Sequence, residues 1–366
     1  MNSPRQHHPS ARQRGPGERK QKISERPWWP WLKRGATSVF FGLVAWLLIS
    51  RARTIDWGEV ITSLQAYPLA SVGLAVLLAV ASFSLYSCFD LLGRRYTGHT
   101  LGTVTVMTVT FVSYVFNLNL GSLVGGVAFR YRLYSRLGLN PGRITRVMAI
   151  SMLTNWMGYL LLGGLVFSVI PPALPETWPL STSHLRLTGM LLVVIAIGYW
   201  GLCAFSRQRQ LTIRGHAIFL PSARLAALQL VMGASNWLIM SGIIFVLLQQ
   251  RIEFAAVVSV LLLAAVAGVI AHIPAGLGVL EAVFVALLSH QMPQTAILAA
   301  LVAYRVIYYL APLCIATVVY LVMEAQVKKM AASGRDTSGA AKVAAAGPAM
   351  APPLTGVSST LGRRPK

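Results

Sequence analysis

Apolar runs close to membrane length recur along the whole chain, and this constrains its fold more than any motif does. They fall at about Gly35–Ser50, Pro68–Phe89, Leu101–Phe129, Val147–Ile170, Arg186–Phe205, Leu225–Leu248, Phe254–Leu288 and Thr295–Val322. About 20 helical residues cross the hydrocarbon core of a bilayer. In lipid each segment must satisfy its own backbone N–H and C=O groups, which selects helices for such runs. Only 11% of residues are charged and mean hydropathy is +0.62, whereas soluble domains carry about 25% charged residues. The expected fold is therefore an all-α, polytopic integral membrane protein.

The net charge of +22 would suit a nucleic-acid binder if the charge lay on a folded surface. It lies instead in tails and inter-helix segments, as the positive-inside rule requires, so no nucleic-acid partner is expected. Residues 1–27 are polar and Arg-rich, and residues 331–366 are rich in Ala, Gly, Pro and Ser; both are expected to be disordered. Between them, residues 28–325 form the expected transmembrane domain, opened by the interfacial anchor Trp28-Trp29-Pro30-Trp31. The N-terminal tail has no signal-peptide layout, since Arg51 and Arg53 follow the first apolar run. Cys88, Cys203 and Cys314 each sit in a separate apolar run and read as reduced structural thiols.

One crossing by Leu101–Phe129 would put Arg130, Arg132, Arg136, Arg143 and Arg146 in an external loop with no acid to offset them. The charge rule opposes that strongly. The run also carries its own interruption, Asn117-Leu-Asn119-Leu-Gly121-Ser122, followed by Gly125-Gly126. A hairpin that enters from the cytoplasm and returns there resolves the conflict. A second interruption, His272-Ile273-Pro274-Ala275-Gly276-Leu277-Gly278, precedes Glu281. Pro274 removes a backbone donor, and the two glycines weaken what helix remains. Broken backbone is tolerated at membrane depth only where protein or a water-filled cavity covers it. On this reading only Arg51, Arg53 and Arg251 of the 32 basic residues face outward, with Arg186 at a border and Arg305 buried. Both termini are then cytoplasmic. The chain has about eight membrane segments, six spans plus two re-entrant hairpins, arranged as an inverted repeat. Repeat one covers about 35–170 and repeat two about 186–323. Such repeats are common in transporters.

Intramembrane charge is costly and usually marks a pathway. Glu281 and Arg305 are the sharpest candidates, either as a lipid-binding site or as a structural pair in which each neutralises the other. His272 could meet a headgroup or simply end a helix. Asn117 and Asn119 either cap the broken helix or face a cavity. Arg130 and Arg132 could gather anionic phospholipid at the cytoplasmic leaflet, and Tyr304 lies one residue from Arg305. Pro274, Gly276 and Gly278 shape the second break. There is no His-Glu-x-x-His, Walker loop, Asp-x-Asp or Cys/His metal spacing. Neither an enzyme nor a cofactor or metal is expected.

The motifs Asn117…Gly121…Gly125-Gly126…Arg130-x-Arg132, Pro274-Ala-Gly276-Leu-Gly278-Val-Leu-Glu281 and Tyr304-Arg305 resemble the lysylphosphatidylglycerol synthetase transmembrane-region family. Its members include stand-alone YbhN-type inner-membrane proteins and the flippase part of MprF. The resemblance spans about residues 35–325, and the Pro-x-Gly-x-Gly-x-x-Glu stretch is its most specific part. It implies an inner-membrane protein that binds phospholipid or isoprenoid-linked lipid, or moves it between leaflets. No aminoacyl-transferase activity is expected, because only a tail follows the last span. The chain departs from the pattern at Leu120-Gly121 and Gly126, where many relatives carry Pro-Gly and Glu. A non-transporting lipid-binding scaffold and an ion-coupled small-solute transporter remain open, as do a homo-oligomer and a separate partner enzyme.

Overall fold

The computed structural model describes residues 67–172, 181–206, 210–213, 216–271 and 278–325, with Thr62, Gln65, Leu174 and Gly276. Both tails, the first apolar run at Gly35–Ser50, and the candidate residues His272 and Pro274 lie outside the described residues. Helices α1 (Leu69–Ser87) and α2 (Phe89–Thr97) follow one another almost without interruption. They are followed by α3 (Thr103–Leu120), a π-helical segment (Ser122–Ala128), α4 (Phe129–Arg136), α5 (Pro141–Val169) and α6 (Thr182–Phe205). Strands β1 (Gln210–Ile213) and β2 (His216–Phe219) precede α7 (Ala223–Leu247), α8 (Phe254–Ala271) and α9 (Val279–Leu288). The last helix starts as α10 (Gln294–Arg305), passes through a π-helical turn at Val306–Leu310 and runs on to Ala325.

Among the described residues six helices are long and apolar enough to cross a membrane: Leu69–Thr97, Thr103–Leu120, Pro141–Val169, Thr182–Phe205, Ala223–Leu247 and Gln294–Ala325. The protein is a polytopic α-helical membrane protein. Five of these helices match expected spans. The sixth, α3, is the entering arm of the expected first hairpin; its 18 residues extend about 27 Å at about 1.5 Å per residue. The α8 and α9 helices are the shorter apolar pair expected on either side of the second break.

Three local features differ from the sequence reading. The first concerns Arg130–Arg146, expected as a loop. It is largely helical, because α4 extends to Arg136 and α5 already begins at Pro141. Asn140 caps α5 by accepting from the Arg143 N–H at 2.9 Å, and Pro141 occupies the first turn, where its missing N–H does no harm. Second, the chain stays helical past the run that ends at Phe89: Asp90 lies in the first turn of α2, where its carboxylate is buried and 3.5 Å from Arg130. Third, the loop after α6 holds a two-stranded antiparallel hairpin, with Gln210 opposite Phe219 and Ile213 opposite His216. The fold class remains all-α, with this small hairpin added in a loop.

Small residues let the spans approach closely, the usual device where apolar burial cannot drive helix association. A Cβ on Gly158 of α5 would lie 2.1 Å from the Gly233 carbonyl carbon of α7, and one on Gly164 would lie 2.7 Å from the Val193 nitrogen of α6. Hydrogen bonds cross the same contacts. Gln229 Nε2 donates to Thr154 Oγ1 at 3.1 Å, while Tyr199 donates to Gln229 Oε1 at 2.6 Å. Ser82 ties α1 to α7 and to the last helix, donating to Asn236 Oδ1 at 2.8 Å and lying 2.7 Å from the Tyr308 hydroxyl. Helices α5, α6 and α7, and separately α1, α7 and the last helix, are thereby fixed around the two chain reversals.

Candidate functional site

The second reversal places an ion pair. Gly276 and Gly278 both adopt positive φ, 57° and 78°, a conformation that glycine takes without steric cost. The chain folds back so that Gly276 lies beside Gly268 of α8. Helix α9 then starts at Val279 and carries Glu281 in its first turn, where the positive end of the helix dipole favours a carboxylate. Arg305, the last residue of α10, meets Glu281 through both carboxylate oxygens. Its Nε donates to Oε1 and its Nη2 to Oε2 at 3.0 Å. Nη2 also donates to the Gly276 carbonyl at 3.2 Å, and the guanidinium lies 5.4 Å from the centre of the Tyr309 ring. Bidentate geometry makes this one of the stronger forms of ion pair. The side chains stay 11% and 19% exposed for Arg305 and Glu281.

A cavity of about 310 Å³ adjoins the pair, and residues from both breaks wall it. Asn117 and Leu118 come from the first, Gly276 and Leu280 from the second. Tyr304 and Tyr309 come from the last helix. Asn155, Trp156 and Tyr159 of α5 and Trp237 and Met240 of α7 complete much of the wall. The π-helical turn after Arg305 is tied to the first break, since Asn119 Nδ2 donates to the Tyr309 carbonyl at 3.3 Å as well as to Val115 O at 2.9 Å. Asn119 therefore answers a carbonyl of an irregular turn, which is what asparagine near broken backbone can do.

The first reversal is built differently. Gly121, with φ 86° and ψ 168°, ends α3, and the returning arm packs directly on it. A Cβ on Gly125 would lie 2.1 Å from the Phe116 carbonyl carbon and 2.2 Å from the Asn117 nitrogen. Phe116 and Phe129 stack with ring centres 4.1 Å apart. Directly after them, Arg130 Nη2 sits 3.5 Å from Asp90 Oδ1, with side chains 3% and 0% exposed. Tyr134 donates to Asp90 Oδ2 at 2.8 Å. Further along α4, Arg132 and Arg136 both pair with Glu324 at the end of the last helix, Arg132 at 3.0 Å.

Residues 35–316, which include both reversals and both buried pairs, match the family described as lysylphosphatidylglycerol synthase TM region. The chain belongs to that family. Among relatives of this lysylphosphatidylglycerol synthase TM region protein is inner membrane protein YbhN of Escherichia coli. The two are 45% identical over 308 residues, covering 84% of this chain and 96% of YbhN. The uncharacterized protein slr0712 of Synechocystis sp. is 32% identical over 275 residues, 70% of this chain and 80% of its own.

Of the sequence candidates in this lysylphosphatidylglycerol synthase TM region chain, Glu281, Arg305, Gly276, Asn117 and Tyr304 gather at or beside the cavity. Gly278 shapes the turn before Glu281 and Asn119 braces the π-helical turn. Arg130, which could have gathered headgroups or simply loaded the cytoplasmic side, is buried with Nη2 3.5 Å from Asp90 Oδ1. Arg132 is likewise engaged with Glu324. Asp90 falls one residue after the apolar run Pro68–Phe89 and is the sole acid between residues 60 and 175. That isolation among so many arginines was the available signal for a buried partner. Nothing in local sequence marked Trp237, Asn155 or Tyr114 as cavity residues; they meet there only through tertiary packing.

Proposed function

We propose that this protein binds membrane lipid at the cavity between its two chain reversals and moves it between leaflets of the inner membrane. The observation that supports this reading is the cavity itself. It is one space walled by both breaks, with an ion pair at its edge and unbroken helices around it. Irregular backbone held between helices beside a polar cavity is the arrangement in which transporters place their substrate sites. In this reading α3 with α4, and α8 with α9, are re-entrant hairpins of an inverted repeat of about eight segments, with both termini cytoplasmic. The Glu281–Arg305 pair is the working polar group, able to open and re-form as a headgroup passes. Lipid is the partner, and no catalytic step is assigned. In this reading Arg136 lies on the cytoplasmic side and Pro274 on the other. Single-cysteine labelling in intact cells and inverted vesicles tests that, and Pro274 reached only from the cytoplasm would overturn it.

The direct test is reconstitution of purified protein into liposomes carrying a fluorescent lipid in both leaflets, followed by one-sided quenching. Scrambling faster than in empty liposomes is the expected result. No acceleration, with lipid still retained through purification, would replace translocation by a lipid-binding scaffold.

A further inference from the structure

A second hollow lies across the aromatic residues that wall the cavity. It is a groove of about 520 Å³ between α1, α3 and the last helix. Its floor is buried, with Ala79 4%, Phe83 6% and Ile307 7% exposed, while Val80 and Ile315 at its rims are each 57% exposed. One layer of rings stands between the two hollows. Phe83, in the groove, stacks on Tyr308 with ring centres 4.8 Å apart and meets Tyr114 edge-on at 5.6 Å, and Tyr114 lines the cavity. The last helix serves both spaces, with Tyr304 and Tyr309 on the cavity and Val306 and Ile307 on the groove.

The chemistry of the groove suits hydrocarbon. Among the described residues that line it none is charged, and three carry hydroxyls. Ser87 and Thr108 turn theirs back on their own helices, donating to the Phe83 carbonyl at 2.7 Å and the Val104 carbonyl at 2.8 Å. The third, Ser84, stands at the exposed rim. A phosphate, ammonium or sugar pushed inside would lose its water for almost no return. A hydrocarbon chain gives up nothing of that kind, and it restores the close contacts that an unfilled gap forfeits. Length agrees as well. The groove runs from Val76 to Ser87 on α1 and from Val306 to Val319 on the last helix. At about 1.5 Å per residue these stretches measure about 17 and 20 Å. One leaflet of hydrocarbon is about 15 Å deep, half of a core of about 30 Å. Polarity follows from the two ends. Beyond Ser87 the chain reaches Arg94, and beyond Val319 it reaches Glu324 with its partners Arg132 and Arg136. The other end stops part-way along both helices, at Val76 and Val306. A headgroup therefore belongs at the charged end, which the topology proposed above makes the cytoplasmic one.

We infer that the groove between α1, α3 and the last helix seats one hydrocarbon chain of a cytoplasmic-leaflet lipid, with its headgroup toward Arg94 and Glu324. The choice of leaflet rests on the proposed topology; the seat itself rests on the groove. The test reconstitutes the full-length protein in liposomes containing phosphatidylglycerol with a diazirine placed either near the ester or at the chain end. After irradiation, labelled peptides are mapped by mass spectrometry. Per residue, labelling of 76–87 and 306–319 should exceed that of the open face of α6, where Leu191 and Val194 are 57% and 65% exposed. The expected excess is about fivefold, a preference of about 1 kcal/mol. The ester-proximal probe should mark the Ser87 and Val319 ends, and the chain-end probe the Val76 and Val306 ends. Ala311→Trp fills the groove from its exposed rim and should lower groove labelling by a similar factor, whereas Leu191→Trp should leave it unchanged. Labelling spread evenly over the exposed helices, whether the groove is empty or covered by another part of the chain, overturns the seat. So does groove labelling that Ala311→Trp leaves untouched. A reversed order of the two probes assigns the chain to the other leaflet and overturns the inference as stated. Scrambling measured on the same liposomes separates this inference from the reading above. Groove labelling without scrambling keeps the seat and overturns translocation, while scrambling without groove labelling keeps translocation and overturns the seat.

Discussion

The two chain reversals of this protein use the same materials, glycines and a buried ion pair, to opposite ends. At the first, backbone lies on backbone: Gly125 has no room for a Cβ against Phe116, and the neighbouring Asp90–Arg130 pair is sealed from solvent. At the second, a Cβ built on Gly276 or Gly278 meets nothing within 4 Å among the described residues, and Glu281 and Arg305 remain partly exposed beside a cavity. Buried charge is thus not by itself a sign of function. Once sealed, a pair holds parts together; left at the edge of a space, it stays accessible to a ligand. In the proposed reading the first reversal is framework and the second is the site.

That contrast can be broken most forcefully at the sealed pair. Asp90→Asn leaves Arg130 buried without its counter-charge, and removing one member of such a pair costs about 3–5 kcal/mol. The expected outcome is a large drop in folded yield and melting midpoint, measured in detergent-solubilised membranes. A variant as stable as the parent would show that the first reversal is not a packed frame. The glycines sharpen the same comparison. Gly125→Ala forces backbone apart and should cost about 3 kcal/mol. Gly276→Ala meets only the strain of positive φ, about 1–2 kcal/mol. Thermal denaturation of the two variants side by side would contradict the assignment if Gly276→Ala were the more damaging.

The smallest expected effect is one of pH on the framework side. His99 lies in the turn between α2 and α3, buried, with neither ring nitrogen hydrogen-bonded and its ring 6.4 Å from Tyr134. Burial, then the charges of Arg94 and Arg143, push its pKa below the usual histidine value, against a weaker opposing pull from Asp90. Below about pH 6.5 the unfolded chain takes up a proton that the folded protein refuses. Stability should therefore fall as pH drops through that range, by at most about 1.4 kcal/mol per pH unit for this one group. Unfolding midpoints between pH 7.5 and 5.5 check this, and His99→Gln should flatten the slope.

Much of this fold could be read from the chain because lipid simplifies the problem. Apolar runs of fixed length mark helices, and the placement of arginines dictates where a segment must turn back. The break before Glu281 was legible for the same reason, since proline and two glycines have no place in a lipid-facing helix. The cost of burying either charge alone made Arg305 a counter-charge for Glu281 or for a lipid phosphate, and only the structure brings the two together. What escaped was contact between residues far apart in sequence. Arg130 looked like an ordinary cytoplasmic arginine because its partner, Asp90, stands 40 positions earlier at the end of another helix. The aromatic wall was hidden because tryptophan and tyrosine occur on many apolar segments, and only packing decides which of them face a common space.

The account rests on the claim that the partly exposed pair, and not the sealed one, does the work. The measurement that tests it is lipid scrambling in liposomes by Glu281→Gln beside the parent protein, normalised to folded protein. Arg305 keeps its bond to the Gly276 carbonyl in that variant, so the protein should still fold. A fall in scrambling of tenfold or more, with the melting midpoint moved only slightly, is the predicted result. Scrambling at the parental rate in Glu281→Gln would contradict the claim.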